Sequence, residues 1–155
     1  MSRAGIGWDS HRLEGGRPLV LGGVEIPDAA RGLAGWSDAD VLTHAVIDAL
    51  LGAAGLGDIG QHFPDDDPHW RNADSIGLLR EVVARVRAAG YELEHVDATV
   101  MLERPKLAPH REAIHASLAA VLGSVNVKAT TGEGMGFVGR GEGAAALAVA
   151  TIAPR

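Results

Sequence analysis

The sequence predicts an α+β fold, a small mixed sheet with three helices packed on one face. Three segments place apolar residues at helical spacing, and five shorter runs are β-branched or alternate apolar with polar. They follow one another without a regular βαβ rhythm, which favours helices stacked on a sheet over a doubly wound sheet. A chain of 155 residues suits a single domain spanning residues 1–155, with one ordinary hydrophobic core.

The elements are justified in order along the chain. The first strand is read at Arg3–Trp8 and the second at Leu19–Ile26. The first helix runs from Asp38 to Ala54, with Val41, Leu42, Ala45, Val46, Ala49, Leu50 and Ala53 on its apolar side. Ser37 is its expected N-cap, and Asp40, three residues on, makes an acidic variant of the capping box. The second helix runs from Asp74 to Ala89 and stops at Gly90; its core stripe is Ile76, Leu79, Val82, Val83 and Val86. A third strand is read at His95–Leu102. The third helix follows at Pro109–Leu122, with Ile114, Leu118, Val121 and Leu122 inward and Gly123 as its stop. Strands at Val125–Thr131 and Ala144–Ile152 complete the sheet. The last is rich in alanine, and Val149, Thr151 and Ile152 tip it from helix to strand.

Composition removes several classes of function. At 46% hydrophobic and 22% charged, the chain is globular rather than disordered. No stretch approaches the ~18 apolar residues of a membrane helix. The start Met1-Ser2-Arg3-Ala4-Gly5-Ile6 lacks the apolar core of a secretory signal, so the cytoplasm is expected. With no cysteine there are no disulfides, thiolate metal sites or cysteine nucleophiles. A net charge of −6 disfavours nucleic acid. An anionic ligand therefore needs a metal ion, a helix N-terminus or a few placed Lys and Arg. Any such metal falls to the seven histidines and twenty acids.

Four clusters carry candidate chemistry. In an extended chain residues two apart share a side, so Asp9 and His11 in Asp9-Ser10-His11, at the end of the first strand, can converge on one ion. A short polar triplet there also reads as a solvated turn. Asp40, His44 and Asp48 recur every four residues on the first helix, and no Lys or Arg stands between Asp38 and Leu56 to balance them. Asp9, His11 and His44 together offer one carboxylate and two imidazoles, the three-ligand pattern of a catalytic zinc site. Gly57-Asp58-Ile59-Gly60 and Phe63-Pro64-Asp65-Asp66-Asp67-Pro68 form an acidic loop, given shape by Ile59, Phe63 and two prolines. Finally, Thr130 and Thr131 precede a glycine-rich run, Gly132 to Gly143, suited to phosphate oxygens, and Glu133 is placed to hold Mg²⁺ against a diphosphate. The same glycines also read as a tight turn or a crowded subunit interface. Gly134-Met135-Gly136-Phe137-Val138-Gly139 matches G-x-G-x-x-G, but too little chain follows for a dinucleotide fold. Arg104-Pro105-Lys106-Leu107-Ala108-Pro109 reads by itself as a plain connection.

In this order over this length, the clusters resemble the 2-C-methyl-D-erythritol 2,4-cyclodiphosphate synthase family of the non-mevalonate isoprenoid pathway. The matching pieces also include Leu21-Gly22-Gly23-Val24-Glu25-Ile26-Pro27, Val127-Lys128-Ala129-Thr130-Thr131 and Gly139-Arg140-Gly141-Glu142-Gly143. The resemblance implies a homotrimer with each active site between neighbouring subunits. It implies a phosphorus–oxygen lyase acting on 4-diphosphocytidyl-2-C-methyl-D-erythritol 2-phosphate, releasing CMP and the cyclic diphosphate.

By motif, the resemblance assigns zinc to Asp9, His11 and His44, with Asp9 and His11 also beside the substrate. Glu133 takes Mg²⁺ or Mn²⁺, Thr131 steadies the transition state and Thr130 helps hold the diphosphate. Asp48, Asp58, Ile59, Gly60, Phe63 and the loop from Asp65 to Asp67 receive the methylerythritol. Leu102, Pro105, Lys106, Leu107 and Ala108 cradle cytidine. Phe137 and Arg140, with Glu142, line the trimer axis, where the family can carry an isoprenoid diphosphate. One departure stands out: where the family usually has His-Ser-Asp-Gly-Asp, this chain has Trp36-Ser37-Asp38-Ala39-Asp40. Trp36 therefore occupies the diphosphate-contacting, transition-state-stabilising position without its imidazole, and Ser37 beside it keeps a place among the substrate-binding residues. A second departure puts Asp66 where threonine is frequent. Two other readings use the same residues: a zinc-dependent phosphoester hydrolase, and a non-catalytic trimeric isoprenoid-binding protein.

Overall fold

The computed structural model describes residues 1–27 and 29–155. Strand β1 (Arg3–Glu14) leads to a small hairpin of β2 (Val20–Leu21) and β3 (Val24–Glu25), then to β4 (Gly32–Leu33). Helix α1 (Val41–Ala54), the short α2 (Ile59–His62) and α3 (Ser75–Ala88) precede β5 (Tyr91–Met101). Helix α4 (Arg111–Leu122), β6 (Val125–Thr130), the single turn α5 (Gly136–Gly139) and β7 (Gly143–Pro154) follow. The main sheet has the order β4-β1-β7-β5-β6, antiparallel except for the parallel pair β5–β6. It is the mixed sheet the sequence predicts, with α1, α3 and α4 on one face.

Alternation along the strands fixes which face is covered. Ala144, Ala146, Ala148, Ala150 and Ile152 of β7 are buried under the helices, as are Val96, Ala98 and Val100 of β5. None of α1, α3 and α4 covers the opposite face. There Ile6 pairs with Val149 and Trp8 with Leu147, an apolar block whose members are 67%, 43%, 55% and 38% exposed in that order. On the covered side α1 presses on β1 so closely that a Cβ at Gly7 would lie 1.8 Å from the Ala45 carbonyl oxygen. Only glycine permits that approach. Among the described residues no helix is long and apolar enough to cross a membrane.

Several boundaries differ from the sequence expectation. Strand β1 does not end at Trp8; its ladder with β7 runs from Arg3–Ile152 to Arg12–Gly143, so Asp9-Ser10-His11 lies inside the strand. The segment 19–26 is a hairpin, because Gly22 and Gly23, at φ of +59° and +79°, turn it back on itself. Helix α1 begins at Val41, capped by Asp40 rather than Ser37. The residue before the cap, Ala39, has φ +56°, which a helix cannot contain. Asp40 is thus no part of an exposed acidic stripe. It is fully buried, accepting from the backbone N–H of Gly22, Gly23 and Thr43 and from the Thr43 hydroxyl. Burial pushes its carboxyl above the usual range, against the pull of those donors. Pro109 sits in a 3₁₀ turn (Ala108–His110), and α4 proper starts at Arg111.

Candidate active site and metal centre

Backbone geometry brings three candidate metal ligands together. Asp9 and His11 share the helix-facing side of β1, and α1, held close by Gly5 and Gly7, delivers His44 from above. Asp9 Oδ2 lies 2.8 Å from His11 Nε2 and 3.2 Å from His44 Nδ1, and the two ring nitrogens are 3.3 Å apart. Ligands at zinc bond lengths of ~2.0–2.1 Å with tetrahedral angles stand about 3.3 Å from one another. The trio therefore needs only a few tenths of an ångström of adjustment to hold such an ion, and the donor set fits zinc. The rings themselves meet edge to face at 5.4 Å.

The surroundings tune these groups. Burial raises the Asp9 pKa, but the neighbouring His11 and His44 rings outweigh it and bring the carboxyl to about 2. Burial also works against a charged His11, yet the Asp9 carboxylate lifts its pKa above the ordinary imidazole value. His11 Nδ1 lies 2.8 Å from the Ala34 carbonyl, which can only accept, so Nδ1 carries the proton and Nε2 faces Asp9 bare when the ring is neutral.

A cavity of about 420 Å³ opens beside the trio. Asp9, His11 and His44 form its polar end. Trp36, Ser37, Ile59, Gly60, Phe63, Pro64, Asp65 and Asp66 supply the walls, as do Trp70 and Leu78, which sequence reasoning missed. The Trp36 indole N–H does not point at an open site: it donates to the Asp67 carbonyl at 3.1 Å, and Arg71 stacks 5.6 Å from the ring centroid. Trp36 thus pins the acidic loop. Asp67 spends its own carboxylate on the His69 N–H. Asp58 caps α2 through a capping box with Gln61, and Asp48 accepts from the Ile59 N–H at 2.8 Å. Burial raises the Asp48 pKa, with the Ile59 donor opposing. Both of these acids shape the loop and lie outside the cavity lining.

The remaining predicted residues sit elsewhere in the subunit. Leu102, Lys106, Leu107, Ala108, Thr130 and Thr131 line a second hollow of about 180 Å³ with Ala129 and Arg111. Pro105 faces an adjoining recess with Leu13 and Arg31. Glu133, at φ +51°, donates its N–H to Thr131 Oγ1, and Glu103 holds the same turn by accepting from the Gly132 and Gly134 N–H groups. The glycine-rich run is a tight turn around α5, as one sequence reading allows. Phe137 borders a small recess with Ser10, Arg12 and Glu142, and Arg140 reaches Glu142 at 3.4 Å. The ladder sets the separation of the two hollows. Asp9 is level with Ala146, Val100 and Ala129 across β1, β7, β5 and β6. Three interstrand spacings amount to about 14 Å. The hollows share no residue.

Comparison with known proteins places this geometry. A protein of Salinibacter ruber named 2-C-methyl-D-erythritol 2,4-cyclodiphosphate synthase is 62% identical over 154 residues, covering 97% of this chain and 98% of that one. A solved 2C-methyl-D-erythritol-2,4-cyclodiphosphate synthase in a CDP-bound form superposes with a TM-score of 0.89 at 42% identity, covering 97% of this chain and 100% of its own. The Plasmodium falciparum IspF–CDP complex superposes at 0.85 with 28% identity, over 99% of this chain and 97% of that one. The family model described as YgbB matches residues 2–153, and this chain belongs to the YgbB family.

Proposed function

We propose that this chain is a 2-C-methyl-D-erythritol 2,4-cyclodiphosphate synthase of cytoplasmic isoprenoid-precursor biosynthesis, a phosphorus–oxygen lyase. The observation that carries the reading is the Asp9–His11–His44 cluster at one end of a cavity of about 420 Å³, in a chain so similar to proteins of that name. The substrate is 4-diphosphocytidyl-2-C-methyl-D-erythritol 2-phosphate. An oxygen of its 2-phosphate attacks the β-phosphorus, the bond from that phosphorus to the α-phosphate oxygen breaks, and CMP leaves. The substrate brings its own nucleophile, so the chain supplies position and charge. Zinc on Asp9, His11 and His44, with Mg²⁺ or Mn²⁺ on Glu133, supplies Lewis acidity against the substrate's charge, which a protein of net charge −6 otherwise lacks.

The chain's residues divide the remaining work. Ser37 lies at the diphosphate, and Ile59, Gly60, Phe63 and Asp65 enclose the methylerythritol, within a loop held by Asp48, Asp58 and Asp67. Leu102 and Pro105 to Ala108 receive cytidine; Thr130 and Thr131 hold the phosphates beside it. Within one subunit these two sets lie about three strands apart and share no lining residue. The exposed block of Ile6, Trp8, Leu147 and Val149 supports a neighbouring subunit. In a homotrimer the three sheets face one axis, and each active site joins the metal cavity of one subunit to the cytidine hollow of the next. Phe137, Arg140 and Glu142 lie beside that face, where an isoprenoid diphosphate is accommodated.

The test is product analysis. Incubated with the substrate, Zn²⁺ and Mg²⁺, the protein is expected to release CMP and the cyclic diphosphate in equal amounts. His44→Ala is expected to lose zinc and turnover together. Linear methylerythritol phosphates in place of the cyclic product would replace this reading by hydrolysis. A zinc-loaded protein that leaves the substrate intact would replace it by binding alone.

A further inference from the structure

His44 is a buried ring with two ends, and only one faces the metal cavity. Its other end, Nε2, lies 2.8 Å from Ser75 Oγ and 3.2 Å from Ser37 Oγ. Ser75 is the first residue of α3 and is wholly buried. Its hydroxyl hydrogen bonds to Asp38 Oδ1, and its backbone N–H donates to Asp38 Oδ2 at 3.0 Å. Asp38 also accepts from the Asp40 N–H, so both carboxylate oxygens are held.

Counting hydrogens settles the direction of this chain. An ionised carboxylate only accepts, so the single hydroxyl hydrogen of Ser75 goes to Asp38. Ser75 Oγ can then only accept at its remaining side, and the group facing it there is His44 Nε2. Ser37 is not decisive, because its oxygen accepts from the Ala39 N–H while its hydrogen remains free to rotate. If Ser37 donated to Nε2, the Ser75 lone pair would face the ring nitrogen's lone pair at 2.8 Å, an unfavourable contact. The Ser75 side of the ring therefore favours a proton on Nε2. Asp9 pulls the other way, since its carboxylate at 3.2 Å would readily accept a proton from Nδ1.

We propose that Ser75, backed by Asp38, is the positioning residue of the metal centre. It holds His44 as the Nε2–H tautomer and keeps Nδ1 bare toward Asp9 and His11. Without it the nearest charged acceptor is Asp9, the proton moves to Nδ1, and the metal must first displace it. The inference rests on the metal reading of the trio and extends it to residues on α3 and the turn before α1. Outer partners of metal-bound histidines typically contribute 10–100-fold in metal affinity.

The experiment measures zinc affinity by competition with a chromophoric chelator on the full-length protein, wild type and Ser75→Ala. In parallel, ¹⁵N-histidine NMR reads the ring tautomer of the metal-free forms at alkaline pH. Ser75→Ala is expected to bind zinc ~10–100-fold more weakly, and its His44 signal is expected to change from Nε2–H to Nδ1–H. Ser75→Thr, which restores the hydroxyl, is expected to recover both. Should Ser75→Ala fail to fold, Asp38→Asn gives the same two readouts, and both are expected to move in the same direction. Unchanged affinity and tautomer in a folded variant would overturn the positioning role and leave the metal reading standing. A wild type that takes up no zinc would overturn the metal reading itself.

Discussion

Trp36 is the residue where sequence and geometry meet most directly. Its indole is bonded to the Asp67 carbonyl and stacked by Arg71, so it acts on the acidic loop rather than on a phosphate. Trp36→His would add an imidazole donor at the cost of that tether. A single oxyanion-type donor can contribute roughly 10²-fold to a rate. The expected gain in single-turnover rate, with both metals saturating, is nevertheless below about tenfold, or ~1.4 kcal/mol, accompanied by a higher KM from the loosened loop. A hundredfold gain would mean that the wild-type enzyme runs without a needed catalytic group. At this scale the sequence was informative where chemistry shows in spacing. Asp9 and His11 are two apart on a strand, and His44 stands alone in a helix without counter-charges. It was silent on Ser75, which reads as an ordinary helix-start serine and gains its meaning only from α3 lying against α1.

At the scale of elements, the contact between β1 and α1 governs the site. Gly7 lies two residues before Asp9, and a Cβ there would overlap the Ala45 carbonyl and sit 2.7 Å from the Ala49 nitrogen. Gly7→Ala must lift the helix that carries His44. Overpacking of this kind costs ~1–3 kcal/mol or more. The expected result is a lower urea midpoint together with weaker zinc binding, because Nδ1 of His44 recedes from Asp9. A lower midpoint with zinc affinity intact would show that the ligand trio does not depend on this spacing. The helices were legible from their apolar stripes, to within a few residues. The beginning of α1 was not. Asp40, which looked like one of two acids flanking His44 on a polar stripe, is a buried cap tied to the β2–β3 turn, and that tie joins parts of the chain 17 and 18 residues apart. No local pattern encodes such a partner. The full length of β1 was hidden for a related reason: polar Asp9, Ser10 and His11 look like a strand's end unless a cavity waits on one side of them.

At the scale of the whole molecule, the mixed sheet with one bare apolar face was readable only in part. Alternation told which residues share a side, but Ile6, Trp8, Leu147 and Val149 come together only through the β1–β7 register. The two hollows, some three strands apart with no residue in common, have a genetic consequence. If each working site borrows one hollow from each of two chains, then two crippled chains can repair each other. His44→Ala alone and Thr131→Ala alone are both expected to be nearly inactive. Unfolded together in equal amounts and refolded as mixed trimers, they generate sites that take an intact His44 from one chain and an intact Thr131 from its neighbour. Random assembly gives about a quarter of all sites this combination, so activity should return to about a quarter of the wild-type value from two dead parents. Separately refolded parents combined afterwards serve as the control, and persistent silence in the mixed trimers would show that each chain builds its site alone.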